Sequence, residues 1–416
     1  MTSYAIPTSV QQEVWIASLG RGGSSVTVPA ILRIPGGVDR ARLGAALDAL
    51  TVRHTALRTV FRLGEPHRAV IAEPYAIPVV TAEPDVPGPA GPIASAQQPF
   101  PPELPERARA VLIGLPDDTH LLALSADHLV CDGTSAQLLG QDLANSYRDG
   151  PQRLLSGGAD DSYARFAEHQ RSWWDGPAGA RVRDFWDRYF DRWGSGLPGC
   201  ALARESGAPG SEKADLPLSA DARNGLDEVA RKCGTTRFVV LAAAILRRQL
   251  LETGASAAGL STDFHGRTVP WAATTVGLFA HGLNVHLSAN EKEDLTSAAS
   301  AVRDRLEECT ASAIPRRAVM SGRTEAGGPE MPNLHLVPGN RRVPRTRPSR
   351  DDADQLPLPQ VLDLSLFIQA RPGRLTVELS AGRGEATVSV WMYRRDFDPE
   401  RVTDFFHAVT EDLATT

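Results

Sequence analysis

The sequence predicts a mixed α/β fold built as two sandwich-like lobes. Strand-like runs rich in β-branched residues alternate with amphipathic helical runs in both halves. A Gly/Ser/Pro/Ala-rich stretch at 195–213 (GSGLPGCALARESGAPGSE) separates those halves. The length, 416 residues, suits two large lobes or two to three domains. The expected domains are therefore 1–194 and 195–416.

Residues 26–34 (VTVPAILRI) read as a strand. Asp39 then caps a helix in which Leu43, Leu47, Leu50, His54 and Leu57 recur on one face. A strand through 59–61 follows. Eight prolines between 82 and 107 forbid helix and central strand, so that stretch is expected to be a surface connection. A hairpin comes next, 109–115 and 119–126, turning at Pro116-Asp117-Asp118. After Gly133, TSAQLLGQDLANSY reads as a helix capped by Thr134 or Ser135. Residues 161–194 are helical and rich in aromatics. In the second half, Thr235-Thr236 precede RFVVLAAAILRRQLL, a helix apolar enough to be buried. Residues 321–358 read as polar and irregular. Strands are expected at 362–369, 374–382 and 385–393, and an amphipathic helix closes the chain.

The net charge of −6 opposes a nucleic-acid binder, which needs a basic surface. No apolar run reaches the ~18 residues of a membrane helix, and the start, MTSYAIPTSVQQEVW, lacks the charge and apolar core of a signal peptide. Cys131, Cys200, Cys233 and Cys309 are too scattered for a zinc site or disulfide framework, and the ten histidines show no ligand spacing. A cytoplasmic protein without metal, membrane or nucleic-acid partner is expected.

The stretch richest in chemistry is LLALSADHLVCDGTSAQLL, residues 121–139. A strand ends at Asp127-His128, and Asp132-Gly133 precede a helix. His128 at a strand end sits at a mouth, and imidazole moves protons near neutral pH; by spacing alone a satisfied structural histidine is the favoured reading. Asp132 can order the loop through an ion pair, and Gly133 permits the turn. Cys131 reads as a small buried hydrophobe.

This segment resembles the His-His-x-x-x-Asp-Gly motif of the condensation domains of nonribosomal peptide synthetases, in the chloramphenicol acetyltransferase-like superfamily. Further stretches match in the family's order. TSVQQEVW (8–15) is similar to the opening LTxxQxxxW/F, and RHTALRTVF (53–61) to RHExLRTxF. QQPF (97–100), followed by RARAVLIGL (107–115), resembles PFDL…PLLR, and SYARFAEHQ (162–170) resembles YxDYAxWQ. HGRTVPWAATTVGLFAHGL (265–283) resembles GRxxPE…VGxFVNTL, and 386–405 resembles the family's final stretch. The resemblance spans nearly the whole chain.

It implies two chloramphenicol acetyltransferase-like lobes in a V-shaped pseudo-dimer with a tunnel between them. It also implies an acyl or peptidyl carrier protein as donor partner, and as acceptor partner in some reactions, each presenting a phosphopantetheine arm. No bound cofactor is implied, and a monomer is the family's default. No carrier or adenylation domain is expected within the chain: GGSS at 22–25 precedes a strand pattern rather than a carrier's helix. It is expected to work in trans, freestanding or as an excised domain.

By this resemblance His128 is the reaction-centre histidine, while Asp127 replaces the motif's first His. Asp127 either raises the basicity of His128 or points away and bonds backbone; strand alternation favours the second. Asp132 matches the family's structural aspartate, with Arg58 its expected arginine partner. His281 and Gly282 replace Asn and Thr of FVNTL and, with Ser365, are tunnel candidates. Gly277 and Arg267 match and are expected to be structural. The backbone N–H of Gly133 is a candidate oxyanion donor. The implied reaction is acyl transfer from a carrier thioester to an amine or hydroxyl acceptor. A coenzyme A-dependent acyltransferase and a non-catalytic carrier-binding or recruitment domain are the alternatives.

Overall fold

The structure, a computed structural model, describes residues 3–4, 7–19, 26–62, 68–82, 96, 98–101, 104–115, 118–194, 199–204, 206–314, 333–337, 360–361, 373–381 and 385–415. They form two compact units. One holds Met1–Ala180, His265–Ala280 and the strand Gln360–Val361; the other holds Arg181–Phe264 and the described parts of 281–341 and 368–416.

The first unit is organised by a five-stranded sheet among the described residues. Its spatial order is Gln360–Val361, Thr27–Pro35, Thr119–Asp127, Ala108–Gly114, Val79–Ala82. The hairpin read from the sequence is its centre, with Ala108 opposite Ala126. Thr27–Pro35 lies antiparallel to the second hairpin strand and sets Thr27 opposite Asp127. Alternate residues Ala30, Leu32, Leu122 and Leu124 face the helices Arg40–Arg53 and Gly133–Asp149, burying Leu43, Leu47, Leu50, Leu139 and Leu143. Leu121 and Ala123 face the other way, onto Ile31, Val111 and Ile113. A strand apolar on both faces is fully buried, which fixes its end in place. Asp39 caps its helix as expected, accepting from Arg42 N at 3.0 Å.

The second unit carries a six-stranded sheet among the described residues. Its order is His281–Ser288, Ala257–Phe264, Asn333–Val337, Arg374–Ala381, Ala386–Tyr393, Ser211–Pro217. The apolar helix Arg237–Thr253 packs on one face with Ala220–Lys232, Leu295–Ala311 and Pro399–Ala414. Thr236 caps it, accepting from Val239 N.

Four expectations change. The helix after His128 is capped by Asp132 rather than Thr134 or Ser135, because the Asp132 carboxylate accepts Ser135 N at 2.7 Å. The helical region 161–194 is two helices, Ser162–Asp175 and Pro177–Trp193, parted at Gly176-Pro177. Within the supposedly irregular 321–358 lies the strand Asn333–Val337, parallel to both its neighbours. The chain also does not divide at 194/195. Residues 265–280 return to the first unit through bonds to Asp132 and Ser135. Helix Pro177–Trp193 in turn joins the second, where Tyr189 Oη donates to Asn284 O at 2.9 Å. The GGSS loop, most of 82–107, the turn at 116–117 and the strand at 362–369 lie outside the described residues.

Candidate active site

His128 follows directly on the buried strand Thr119–Asp127 and is itself half-buried. Its backbone N–H donates to Val26 O at 2.8 Å, and Val130 N–H returns to Asp127 O at 3.0 Å, so it sits in a tight turn. The imidazole Nδ1 lies 2.8 Å from Cys131 O. A carbonyl only accepts, so Nδ1 carries the proton and Nε2 bears the lone pair of the neutral ring. That tautomer is the one a general base acting through Nε2 requires. Gln11 supports the turn from behind: its Nε2 donates to Leu129 O at 2.8 Å, and its Oε1 accepts Thr8 N. The opening 8–15 stretch thus reaches the motif.

Asp132 is 1% exposed, yet its carboxylate accepts four hydrogen bonds. Oδ1 takes Ser135 N at 2.7 Å and Arg267 Nη2 at 2.9 Å; Oδ2 takes Phe279 N at 3.1 Å and Ala280 N at 3.2 Å. Burial opposes its charge, but the Arg267 guanidinium and the Ser135 bonds outweigh that and hold the carboxyl below its ordinary range. Ser135 Oγ extends the network, donating to Gly277 O at 2.7 Å and accepting Arg267 Nη2 at 2.8 Å and Gly277 N at 3.0 Å. Arg267 also lies over the Phe279 ring, 4.2 Å from its centroid.

The arginine partner of Asp132 is therefore Arg267, not Arg58. Arg58 donates to Thr51 O and Ala72 O, bracing its own helix-to-strand corner. The matched stretch 53–61 pointed to Arg58 as the partner because an ion pair leaves no mark at sequence separation 135. Gly133 opens the helix, where the first N–H groups have no intrahelical acceptor; it is half-buried.

Asp127 is fully buried. Oδ2 pairs with Arg107 Nη1 at 3.0 Å, and Oδ1 accepts Leu129 N at 3.0 Å. Oδ1 thus bonds backbone, while the ion pair of Oδ2 with Arg107 is in neither sequence reading. Arg107 opens the matched stretch RARAVLIGL, but nothing in the sequence pairs it with Asp127. Cys131 is fully buried, and burial together with Asp132 pushes its thiol well above its ordinary value. His281 and Gly282 begin the strand His281–Ser288 of the second unit, His281 buried beside the Phe264 ring and Gly282 exposed. Ser365 lies outside the described residues. Among the described residues, no cluster of three or more His, Cys, Asp or Glu is placed to hold a metal, and no helix is long and apolar enough to cross a membrane.

A family model described as Condensation domain matches residues 2–319, and the chain belongs to the condensation domain family. Tyrocidine synthase 2 of Brevibacillus parabrevis is 26% identical over 292 residues, covering 67% of this chain and 8% of that protein. Gramicidin S synthase 2 of Brevibacillus brevis is 26% identical over 289 residues, covering 66% and 6%. The chain thus spans under a tenth of the length of these curated relatives, whose kind is the nonribosomal peptide synthetase that the motifs resembled. Among solved structures, the first condensation domain of the calcium-dependent antibiotic synthetase, in complex with a substrate analogue, superposes with a TM-score of 0.71 at 19% identity. That match covers 100% of this chain and 96% of the other. The X-domain from teicoplanin biosynthesis gives 0.76 at 16% identity, covering 99% and 94%. These likenesses establish the fold, two chloramphenicol acetyltransferase-like lobes of mixed α/β structure.

Proposed function

We propose that this chain transfers an acyl or aminoacyl group from a carrier-protein phosphopantetheine thioester to an amine or hydroxyl acceptor, forming an amide or ester. His128 Nε2 takes the proton of the attacking amine or hydroxyl as the new C–N or C–O bond forms; the thioester C–S bond then breaks, and the pantetheine sulfur leaves with the proton returned from Nε2. In this reading the Gly133 N–H, at a helix start, donates to the developing oxyanion. General base catalysis at such a histidine supplies about 10²–10⁴-fold, and holding the two reactants in register supplies much of the rest. Asp132 keeps the loop in shape through Arg267. The observation that carries this reading is the 2.8 Å contact from His128 Nδ1 to Cys131 O, which assigns the proton of the neutral ring to Nδ1 and the lone pair to Nε2.

Recruitment without catalysis is a second reading, favoured by Asp127. The position that holds a His in the family motif is here a carboxylate committed to Arg107. An X-domain solved in complex with OxyB superposes with a TM-score of 0.77, and by analogy a partner enzyme would dock on this chain. A coenzyme A thioester is the alternative donor.

Intact mass spectrometry of an acyl-loaded carrier, incubated with the chain and a panel of amines and alcohols, separates these readings. Acceptor-dependent loss of the acyl mass is expected. Carrier binding without turnover, across competent donors and acceptors, would favour recruitment. Turnover of acyl-coenzyme A but of no carrier would select the third reading.

A further inference from the structure

The turn that presents His128 is closed by a side chain, not by backbone alone. Asp127 Oδ1 accepts the N–H of Leu129, two residues on, so a side-chain bridge spans His128 and restricts its backbone angles. Which carboxylate rotamer makes that bridge is set by Arg107. Its Nη1 lies 3.0 Å from Asp127 Oδ2 and 2.9 Å from Pro101 O, and its Nε donates to Thr59 O at 2.9 Å. The guanidinium rests over the Phe61 ring at 5.6 Å, and both members of the pair are 0% exposed. The two residues also meet through backbone, Asp127 N–H to Arg107 O at 2.9 Å. Behind them Tyr75 Oη accepts both Arg107 N and Ala108 N, at 2.8 and 2.9 Å.

A planar fork with three fixed acceptors has a single position, unlike an ammonium on a flexible stem. Two charges buried this completely gain little stability over apolar residues of similar volume, so stability alone does not account for them.

We propose that Arg107 is a positioning residue for His128: it locks the Asp127 carboxylate in the rotamer that closes the turn, and so fixes the imidazole with its proton on Nδ1. This rests on the acyl-transfer reading, but one of its readouts does not depend on activity. The motif's first position then serves as an anchor for the ring rather than as a second imidazole.

The test uses Arg107→Met and the charge-free double variant Arg107→Met/Asp127→Ala, in ¹⁵N-labelled full chain. Ring nitrogen shifts report the tautomer, with the His128 signals identified by their absence in His128→Gln. Wild type is expected to show Nδ1–H alone. Both variants are expected to show mixed tautomers and acyl transfer slower by on the order of 10²-fold, at unchanged KM for the carrier. Should the single variant fail to fold, the double variant decides. A folded double variant with wild-type ring signals would overturn the proposal. So would an unfolded one, since the pair would then be holding the sheet rather than the ring. If wild type transfers no acyl group at all, the acyl-transfer reading fails and the ring signals alone judge the role of Arg107.

Discussion

Replacing Asp132 by alanine removes the acceptor of four hydrogen bonds, though Arg267 Nη2 keeps Ser135 Oγ. Two of the donors are the amides of Phe279 and Ala280, one is Ser135 N, and one is the Arg267 guanidinium, whose side chain is 6% exposed. Breaking a buried pair by deleting one partner costs about 3–5 kcal/mol, because the remaining charge stays buried. The lost helix cap, about 1 kcal/mol, is contained in that figure. Since about 1.4 kcal/mol is tenfold, 3 kcal/mol corresponds to on the order of 10²-fold. Native-state hydrogen exchange reads this where it arises: Phe279 and Ala280 amides should exchange on the order of 10²-fold faster in Asp132→Ala. The carboxyl is held below its ordinary 3.8, so its contribution is full above about pH 4 and is lost as pH falls through the lowered value. Asp132→Ala should lack that acid-side loss. Exchange at 279 and 280 unchanged within about threefold would refute the argument, since a free energy of that size cannot be lost without local opening.

Gly277→Ala should destabilise the first unit by about 1–3 kcal/mol in denaturant titration. A Cβ there overlaps the buried Tyr163 ring, which is tied by its hydroxyl to Leu278 O at 2.6 Å. In the second unit His286 is buried against the stacked Trp193 ring, and burial with the nearby Arg305 lowers its pKa to about 4. A lowered basic group favours folding above the unfolded value of 6.5 and loses that contribution as pH falls towards 4. The difference is worth about 3 kcal/mol. His286→Leu should flatten the stability-against-pH curve between those values, as read by thermal unfolding. An unchanged slope would show that His286 is not what drives it.

Local rules were legible in the sequence. Asp39 announced its helix because a cap and the N–H it satisfies lie three residues apart. The strand ending at His128 was legible because it is apolar on both faces. What stayed hidden depends on distant partners. Arg267 meets Asp132 across 135 residues, and Arg107 meets Asp127 through a strand pairing that the prolines before it disguise. Asn333–Val337 is lost in a polar surrounding sequence, and its own Asn and His are satisfied across the sheet. Ser261 Oγ lies 3.0 Å from His335 Nδ1, and Asp263 lies 3.2 Å from Nε2. Those hydroxyls also strengthen a parallel ladder only two pairs long, with Thr262 Oγ1 donating to Leu336 O at 2.8 Å. The motif match supplied the histidine and the aspartate, but the identity of the arginine came only with the fold.

The central claim is that His128 performs proton transfer in a site whose carrier docking does not depend on it. Single-turnover acyl transfer from a loaded carrier, beside carrier Kd, measured for wild type and His128→Ala, tests it most directly. The rate should fall by about 10²–10⁴-fold while Kd stays the same. Equal rates in the two proteins would contradict the account.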